Sequence, residues 1–397
     1  MNYLSQRINE LEESATIAMS RLSRELQEQG HDIINLSLGE PDFVTPQDIR
    51  EAAKKAIDDG FTFYPPIAGY SDLRKAISEK FKRENNLDFS PDQIVVSTGA
   101  KQSIANVVMS LVNPGEEVII PTPYWVSYSQ IIKLAGGVPV FIKTTLETDF
   151  KPTAEQIKNV ITPKTKLLMF SSPCNPTGSM YSKEDLKSIA EVILPHPHIF
   201  ILSDEIYEHI RFEGMHESIA QFDFIKERVI IVNGVSKGYA MTGWRIGYIG
   251  ASKEIAMACD KMQGQFTSAA SSIAQKAALK AISTDWTEYA YMKDLFLKRR
   301  DLVLELMAHI PGWKFNKPKG AFYVFPNVTY FFGKSDGTTT INTANDLCMY
   351  LLKEAKVSLV SGEAFGDDQC IRISYATSEE ILTEALFRIK NALAKLH

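Results

Sequence analysis

The stretch SKGYAMTGWRIGY, Ser236–Tyr248, places one lysine among small and polar residues directly behind the apolar run Val229–Val232. A run rich in β-branched residues that ends in Asn233 and Gly234 reads as a buried strand closing in a turn. Lys237 then lies just beyond the carboxyl end of that strand, the edge at which open α/β sheets bind ligands. A lysine taken at random is a solvated one. Here Ser236, Thr242, Gly243, Trp244 and Arg245 bring a hydroxyl, backbone open to close approach and a guanidinium into ten residues. A phosphate-bearing ligand uses all three.

Outward from this stretch, strand-like and helix-like segments alternate from about residue 92 to 285, the pattern of parallel βαβ units. The strand candidates are Ile94–Ser97, Val118–Ile120, Val138–Ile142, Leu167–Phe170, Ile199–Ser203, Val229–Val232 and Ile246–Gly250. Between them Gln102–Leu111, Lys183–Ile193 and Lys253–Met262 carry apolar residues at three- and four-residue spacing, as crossover helices do. This predicts an α/β fold with a mostly parallel sheet flanked by helices and room for one antiparallel strand. Beyond Asp285 a long amphipathic segment carries Met292, Leu295, Phe296, Leu302, Val303, Leu306, Met307 and Ile310 on one face. The short strands Ala321–Phe325 and Ile371–Tyr375 follow, the signature of a smaller α+β domain. The expected division is an amino-terminal segment, 1–44, joining the small domain, a large domain over 45–285 and the small domain over 286–397. No internal repeat or low-complexity linker is present.

Composition narrows the function classes. The 397 residues are 45% hydrophobic and 23% charged, ordinary for a globular chain with a large core. The 48 acidic and 43 basic residues leave a net charge of −5 without long blocks, so there is no basic stripe for nucleic acid. Cys174, Cys259, Cys348 and Cys370 lack the short paired spacing of a zinc site or disulfide framework, and neither a metal nor a disulfide is expected. The opening MNYLSQRINELEES has charges where a signal peptide needs an apolar centre, and no apolar run reaches about 18 residues. The expectation is a cytoplasmic protein without a membrane partner.

The scattered polar residues share an address. Gly99, Ala100 and Lys101 follow the first strand candidate, Tyr124 and Trp125 the second, and Asn175, Pro176, Thr177 and Gly178 the fourth. Asp204 and Tyr207 follow the fifth, Ser236 and Lys237 the sixth. In a parallel sheet those ends converge. Taken singly each has a plainer reading: NPTG is a turn, Trp125 a core residue and Asp204 a helix cap. Five coincident placements weigh against all of them together.

In order and separation, SSPCNPTG, SDEIYEH, NGVSKGYAMTGWRIGY and IRISYATS resemble the pyridoxal-phosphate-dependent aminotransferases of fold type I, and within them the bacterial class I aspartate aminotransferases. The resemblance begins at SLGEPDF, Ser37–Phe43, and YPPIAGYSDLRKAI, Tyr64–Ile77. It continues through STGAKQ, Ser97–Gln102, and PTPYWVSY, Pro121–Tyr128, and ends near Ser378. It implies pyridoxal 5'-phosphate as cofactor, with Lys237 forming a Schiff base to its aldehyde and later moving the α-proton. Asp204 is implied as partner of the pyridine nitrogen, Tyr207 and Asn175 of the ring's phenolic oxygen, and Trp125 as the stacking face. For the phosphate it implies the backbone N–H groups of Gly99, Ala100 and Lys101 with Ser236 and Arg245, and Tyr64 from the neighbouring subunit of a homodimer.

For the substrate, the resemblance implies that Arg372 and Gly39 hold the α-carboxylate, with Trp125 and Asn175 beside it. Lys101 and Thr16 match the pair that meets a distal carboxylate, although Thr16 also reads as a helix cap before Ile17–Gln29. Cys174 stands where relatives often carry a polar residue. The implied activity is amino-group transfer between aspartate or glutamate and a 2-oxo acid by a ping-pong route. Alternatives are an aminotransferase for aromatic amino acids, other amino acids or prephenate, a carbon–sulfur lyase on the same scaffold, and a non-catalytic cofactor-binding module. The last would want a DNA-binding extension, which this sequence does not show.

Overall fold

The computed structural model describes residues 3–397. After the short strand β1 (Ile34–Asn35), the chain builds one large sheet from β2 (Ile94–Ser97), β3 (Glu117–Thr122), β4 (Val138–Lys143), β5 (Thr165–Ser171), β6 (Phe200–Asp204), β7 (Val229–Gly234) and β8 (Gly247–Gly250). Each matches a strand expected from the sequence, with ends displaced by a residue or two. Their spatial order is β2-β8-β7-β6-β5-β3-β4. All neighbours run parallel except β8, which is antiparallel to both β2 and β7.

Side-chain alternation explains why both faces of this sheet are covered. Val96, Ile119, Leu168, Ile201 and Ile231 point into one core, while Val95, Val118, Ile120, Leu167, Leu202 and Ile230 point into another on the opposite face. The predicted crossover helices are Ala100–Leu111, Lys183–Ile193 and Lys253–Phe266. Helix Lys183–Ile193 opens on a capping box: Ser182 accepts from the Asp185 N–H at 3.1 Å and the Asp185 carboxylate accepts from the Ser182 N–H at 2.9 Å. It buries Leu186, Ile189, Ala190 and Ile193 at helical spacing.

The long segment after residue 290 is helix Tyr291–Ala308. Its buried face differs from the expected one. Arg299 and Arg300 share it with Met292, Phe296, Val303 and Met307, while Leu295, Leu302 and Leu306 lie half-buried at its flanks. Burial of Arg299 is offset by a two-pronged pair with Asp42, at 2.7 and 2.9 Å. Then come β9 (Tyr323–Val324), β10 (Val357–Ser358), β11 (Val360–Ser361) and β12 (Ile371–Ser374). The expected strand over 321–325 shortens to two residues because Ala321 turns to φ 57°, outside the extended region. β11, β12 and β9 form an antiparallel sheet, and β1 pairs with β10 in parallel. A separate core, with Leu36, Val303, Met307, Phe322, Tyr323, Ile371, Ile373 and Leu386, sits beneath them. Among the described residues no helix is long and apolar enough to cross a membrane.

Candidate active site

The carboxyl ends of β2, β3, β5, β6 and β7 open onto one cavity of about 280 Å³. It is lined by Ala100 and Lys101 behind β2, Trp125 and Tyr128 behind β3, Ser171 and Asn175 at and beyond the end of β5, Asp204 and Tyr207 from β6 and the turn after it, and Ser236 and Lys237 behind β7. The antiparallel direction of β8 brings its entry, and hence Arg245, to the same edge. Tyr323 and Arg372 enter from the small sheet; Thr16 and Gly39 come from the amino-terminal segment.

Lys237 and Asp204 face this space with displaced proton affinities. The Lys237 ammonium donates to the Gly39 carbonyl at 2.6 Å and sits 5.9 Å from the Tyr207 ring. Burial pushes its pKa down to about 8, with Arg372 and Arg245 acting the same way against Glu40 and Asp204. Asp204 is buried, and desolvation pushes its carboxyl up to about 6. Two donors oppose that rise: the Tyr128 hydroxyl to Oδ2 at 2.7 Å and the Ile206 N–H to Oδ1 at 3.2 Å. The Ile206 contact is a local turn, and no helix begins there for Asp204 to cap. Tyr207 exchanges a 2.7 Å hydroxyl–hydroxyl bond with Tyr323.

One corner is shaped for an anion. Gly99 caps helix Ala100–Leu111 at φ 84°, and a Cβ there would stand 2.2 Å from Nη2 of Arg245. Gly247 on β8 packs so closely that its Cβ would stand 2.2 Å from the Ala100 backbone nitrogen. Within the Ser236–Tyr248 stretch it is Gly247 that makes this close backbone contact, while the space beside Gly243 is open. Ser236 is buried beside them, while Arg245 donates to the Thr242 carbonyl at 2.9 Å and stays exposed. Tyr64 lies elsewhere, 94% exposed and outside this cavity.

On the opposite side Arg372 is buried to 1% exposure, donating to Asn175 Oδ1 at 3.0 Å and to the Ser37 carbonyl. Its guanidinium lies 4.6 Å from the Tyr323 ring and 4.9 Å from that of Phe365. Among the described residues no carboxylate pairs with it. A buried cation without an anion costs several kcal/mol, about 3–5 when a pair is broken, so the cavity is built to receive one. Lys101 stands at the rim with its ammonium 5.0 Å above the Trp125 ring, its pKa lowered by desolvation and by Arg245. It too has no carboxylate partner among the described residues. Thr16 lies inside the first turn of helix Ala15–Glu28, whose cap position is Ser14, so its reading as a cap falls away. Trp125 is half-buried: it packs against the apolar cores on one side and lines the cavity on the other.

Sequence reasoning passed over Tyr128, Tyr323 and Ser171. Tyr128 sits one helical turn after Trp125, a spacing that could have flagged it; Tyr323 was hidden in a run that reads as core, and Ser171 at a strand end carries no signal of its own. The Ser171 hydroxyl is buried, facing the Tyr128 hydroxyl and the Cys174 thiol. The donor set fits pyridoxal 5'-phosphate: an amine of lowered pKa for an aldehyde, a buried carboxylate for a ring nitrogen, and a helix amino terminus with a guanidinium for a phosphate.

Comparison with known proteins agrees with this geometry. Residues 31–389 match the family model for aminotransferase class I and II. A Rickettsia bellii protein named probable aspartate/prephenate aminotransferase is 47% identical over 399 residues, spanning 100% of both chains. The solved aspartate aminotransferase of Rhizobium meliloti superposes with a TM-score of 0.96 at 42% identity, covering 100% of each chain. That of Thermus thermophilus, solved with maleate, gives 0.92 at 39% identity, covering 99% of this chain and 100% of that one.

Proposed function

The chain belongs to the class I and II aminotransferases, enzymes that work with pyridoxal 5'-phosphate, and we propose that it moves the amino group between a dicarboxylic amino acid, aspartate or glutamate, and oxaloacetate or 2-oxoglutarate. The observation that carries the substrate class is that, apart from Lys237 and Arg245, which this reading gives to the cofactor, two cations of the cavity have no carboxylate partner among the described residues: Arg372 on its buried side and Lys101 at its rim. A dicarboxylate has a charge for each. The relatives named for aspartate, and the one solved with maleate, support the same reading.

When bound, the cofactor supplies an aldehyde that takes up the amino group and a protonated ring that accepts the electrons left when the α-proton departs. Lys237 would tether it, and its amine, whose proton affinity burial lowers, would carry that proton. Asp204, ionised above about pH 6, holds the ring nitrogen in its protonated form. Tyr207 and Asn175 donate to the ring oxygen, and Tyr323 orients the Tyr207 hydroxyl. Trp125 would offer its flat face to the ring. Backbone N–H groups at Gly99, Ala100 and Lys101, with Ser236 and Arg245, hold the phosphate. The Arg372 fork grips the α-carboxylate with Gly39 beside it, and Lys101 with Thr16 meets the distal one.

The same proposal includes a cytoplasmic homodimer in which Tyr64 of each chain serves the other's phosphate site, a reading supported by Phe63 and Tyr64 at 82% and 94% exposure. It includes the division into 1–44, 45–285 and 286–397, supported by the pairing of β1 with β10. Prephenate is a second acceptor under this reading, since Ile17 adds an apolar surface beside Thr16 at the rim. The test is product analysis with purified protein and a panel of amino donors and oxo acids. Aspartate with 2-oxoglutarate should give glutamate, and Lys237→Ala should keep the cofactor through its phosphate contacts while losing nearly all turnover. Normal turnover in Lys237→Ala would overturn the assignment.

A further inference from the structure

Tyr128 is fully buried at the start of helix Ser127–Leu134, with Ser171 beside its hydroxyl, and two of its side-chain contacts bear on the site. The hydroxyl donates to Asp204 Oδ2 at 2.7 Å, across 76 residues of sequence. The ring stands edge-on to Trp125, with centroids 5.5 Å apart and planes at 87°. One side chain thus braces both the carboxylate and the stacking face. Asp204 has no cation in contact: its oxygens receive only the Tyr128 hydroxyl and the Ile206 N–H among the described residues. Of the ionisable groups around it, Lys237 behind β7 favours the charged form of Asp204, whereas Glu205 beside it on the chain disfavours that form. The Tyr207 hydroxyl after β6 and the Cys174 thiol beyond β5 also face it.

We propose that Tyr128 is a positioning residue for amino transfer, its hydroxyl holding Asp204 ionised and in one orientation toward the cavity while its ring holds the plane of Trp125. The proposal rests on the reading of Asp204 as partner of the cofactor nitrogen. Burial alone would carry the Asp204 carboxyl further toward its protonated form, in which it has a proton to give and no negative charge to offer. The tyrosine opposes this without placing a cation in the cavity, where a cation would neutralise the carboxylate and repel a protonated ring.

Tyr128→Phe keeps the ring against Trp125 and removes the hydroxyl alone. In the cofactor-free protein, the Asp204 carboxyl, followed by carbon-13 NMR of labelled aspartate with Asp204→Asn to assign the signal, should titrate roughly 1–2 pH units higher, the equivalent of one hydrogen bond to a charged group. A fluorinated tyrosine at position 128, a stronger donor of the same shape, should move it downward and serves equally if Tyr128→Phe folds poorly. In the loaded enzyme Tyr128→Phe should lower kcat about tenfold to a hundredfold, shift the acid limb of the pH profile upward by the same interval, and leave the KM for aspartate nearly unchanged. An unmoved titration in both variants overturns the proposal whatever the activity. A shifted titration together with full turnover in Asp204→Asn would instead overturn the role given to Asp204, and with it the catalytic part of the proposal.

Discussion

Lys101→Ala separates the binding of a distal carboxylate from everything else in the site. The Lys101 ammonium stands over Trp125 with no carboxylate of the described residues beside it, and its pKa is lowered by desolvation and by Arg245. A hydrogen bond to a charged group contributes about 1.5–3 kcal/mol, and the exposure of this lysine keeps it below the roughly 5 kcal/mol of fully buried pairs. At about 1.36 kcal/mol per factor of ten, the loss for aspartate is roughly tenfold to 150-fold in kcat/KM. The lost cation–π contact is worth at most about 1 kcal/mol at an exposed site and falls on all substrates alike. Because 2-oxoglutarate is itself a dicarboxylate, the assay is the half-reaction: the rate at which each amino donor alone converts the cofactor spectrum, measured for aspartate and for phenylalanine. Aspartate should lose at least several times more than phenylalanine. Equal losses would assign Lys101 to the phosphate corner or to the fold, and the dicarboxylate reading would lose its support in this residue.

Arg372→Ala should behave in the opposite manner, lowering kcat/KM for aspartate and phenylalanine alike by roughly thirtyfold to several thousandfold, because every amino acid carries the α-carboxylate; a selective loss for aspartate would exchange the roles of the two cations. Asp204→Asn should stabilise the cofactor-free protein in a pH-dependent way. The folded pKa of about 6 lies above the ordinary 3.8, so the wild type is favoured fully below about pH 4 and loses up to about 3 kcal/mol as pH rises through 6. The amide has nothing to lose over that window, so urea unfolding at pH 4 and 7.5 should show the gap widening with pH; a constant gap would mean that Asp204 does not titrate there. Lys80 is buried against Glu208, which also accepts from Asn85 at 2.8 Å and Asn233 at 2.7 Å. Lys80→Met removes the cation closest to that carboxylate, leaving His209 at 3.9 Å, and should cost about 3–5 kcal/mol in chemical unfolding, with Glu208→Gln on the same chain recovering part of it. Additive losses in the double variant would argue against a coupled pair.

How far the amino-acid order carries is visible in Lys237 and Arg245. The β-branched run before Lys237 is enough to put it at a strand end, because burial of both sheet faces demands such runs in a parallel sheet. Strand ends of one parallel sheet share an edge, so Gly99, Trp125, Asn175, Asp204 and Ser236 could be read as neighbours without knowing any distance. The one antiparallel strand was anticipated, but not its identity; β8 runs backward, and that alone returns Arg245 to the edge where Gly99 waits. The need for glycine at 247 has no signal in the order of residues, because it follows only from the packing of β8 against the Ala100 backbone.

The sequence by itself determined the alternating elements, the edge on which the chemistry sits and the residue types gathered there, since these follow from local periodicity and from the geometry of parallel strands. Only the tertiary structure decided what those residues touch. Tyr128 meets Asp204 across 76 residues and Arg372 meets Asn175 across 197. Likewise Tyr323 reaches Tyr207 from the small sheet. The proton affinities of Lys237 and Asp204 belong to the same class. They are set by desolvation and by charges that arrive from distant segments, quantities with no local signature along the chain and which come into being only when the cores of the large and small sheets close around the cavity.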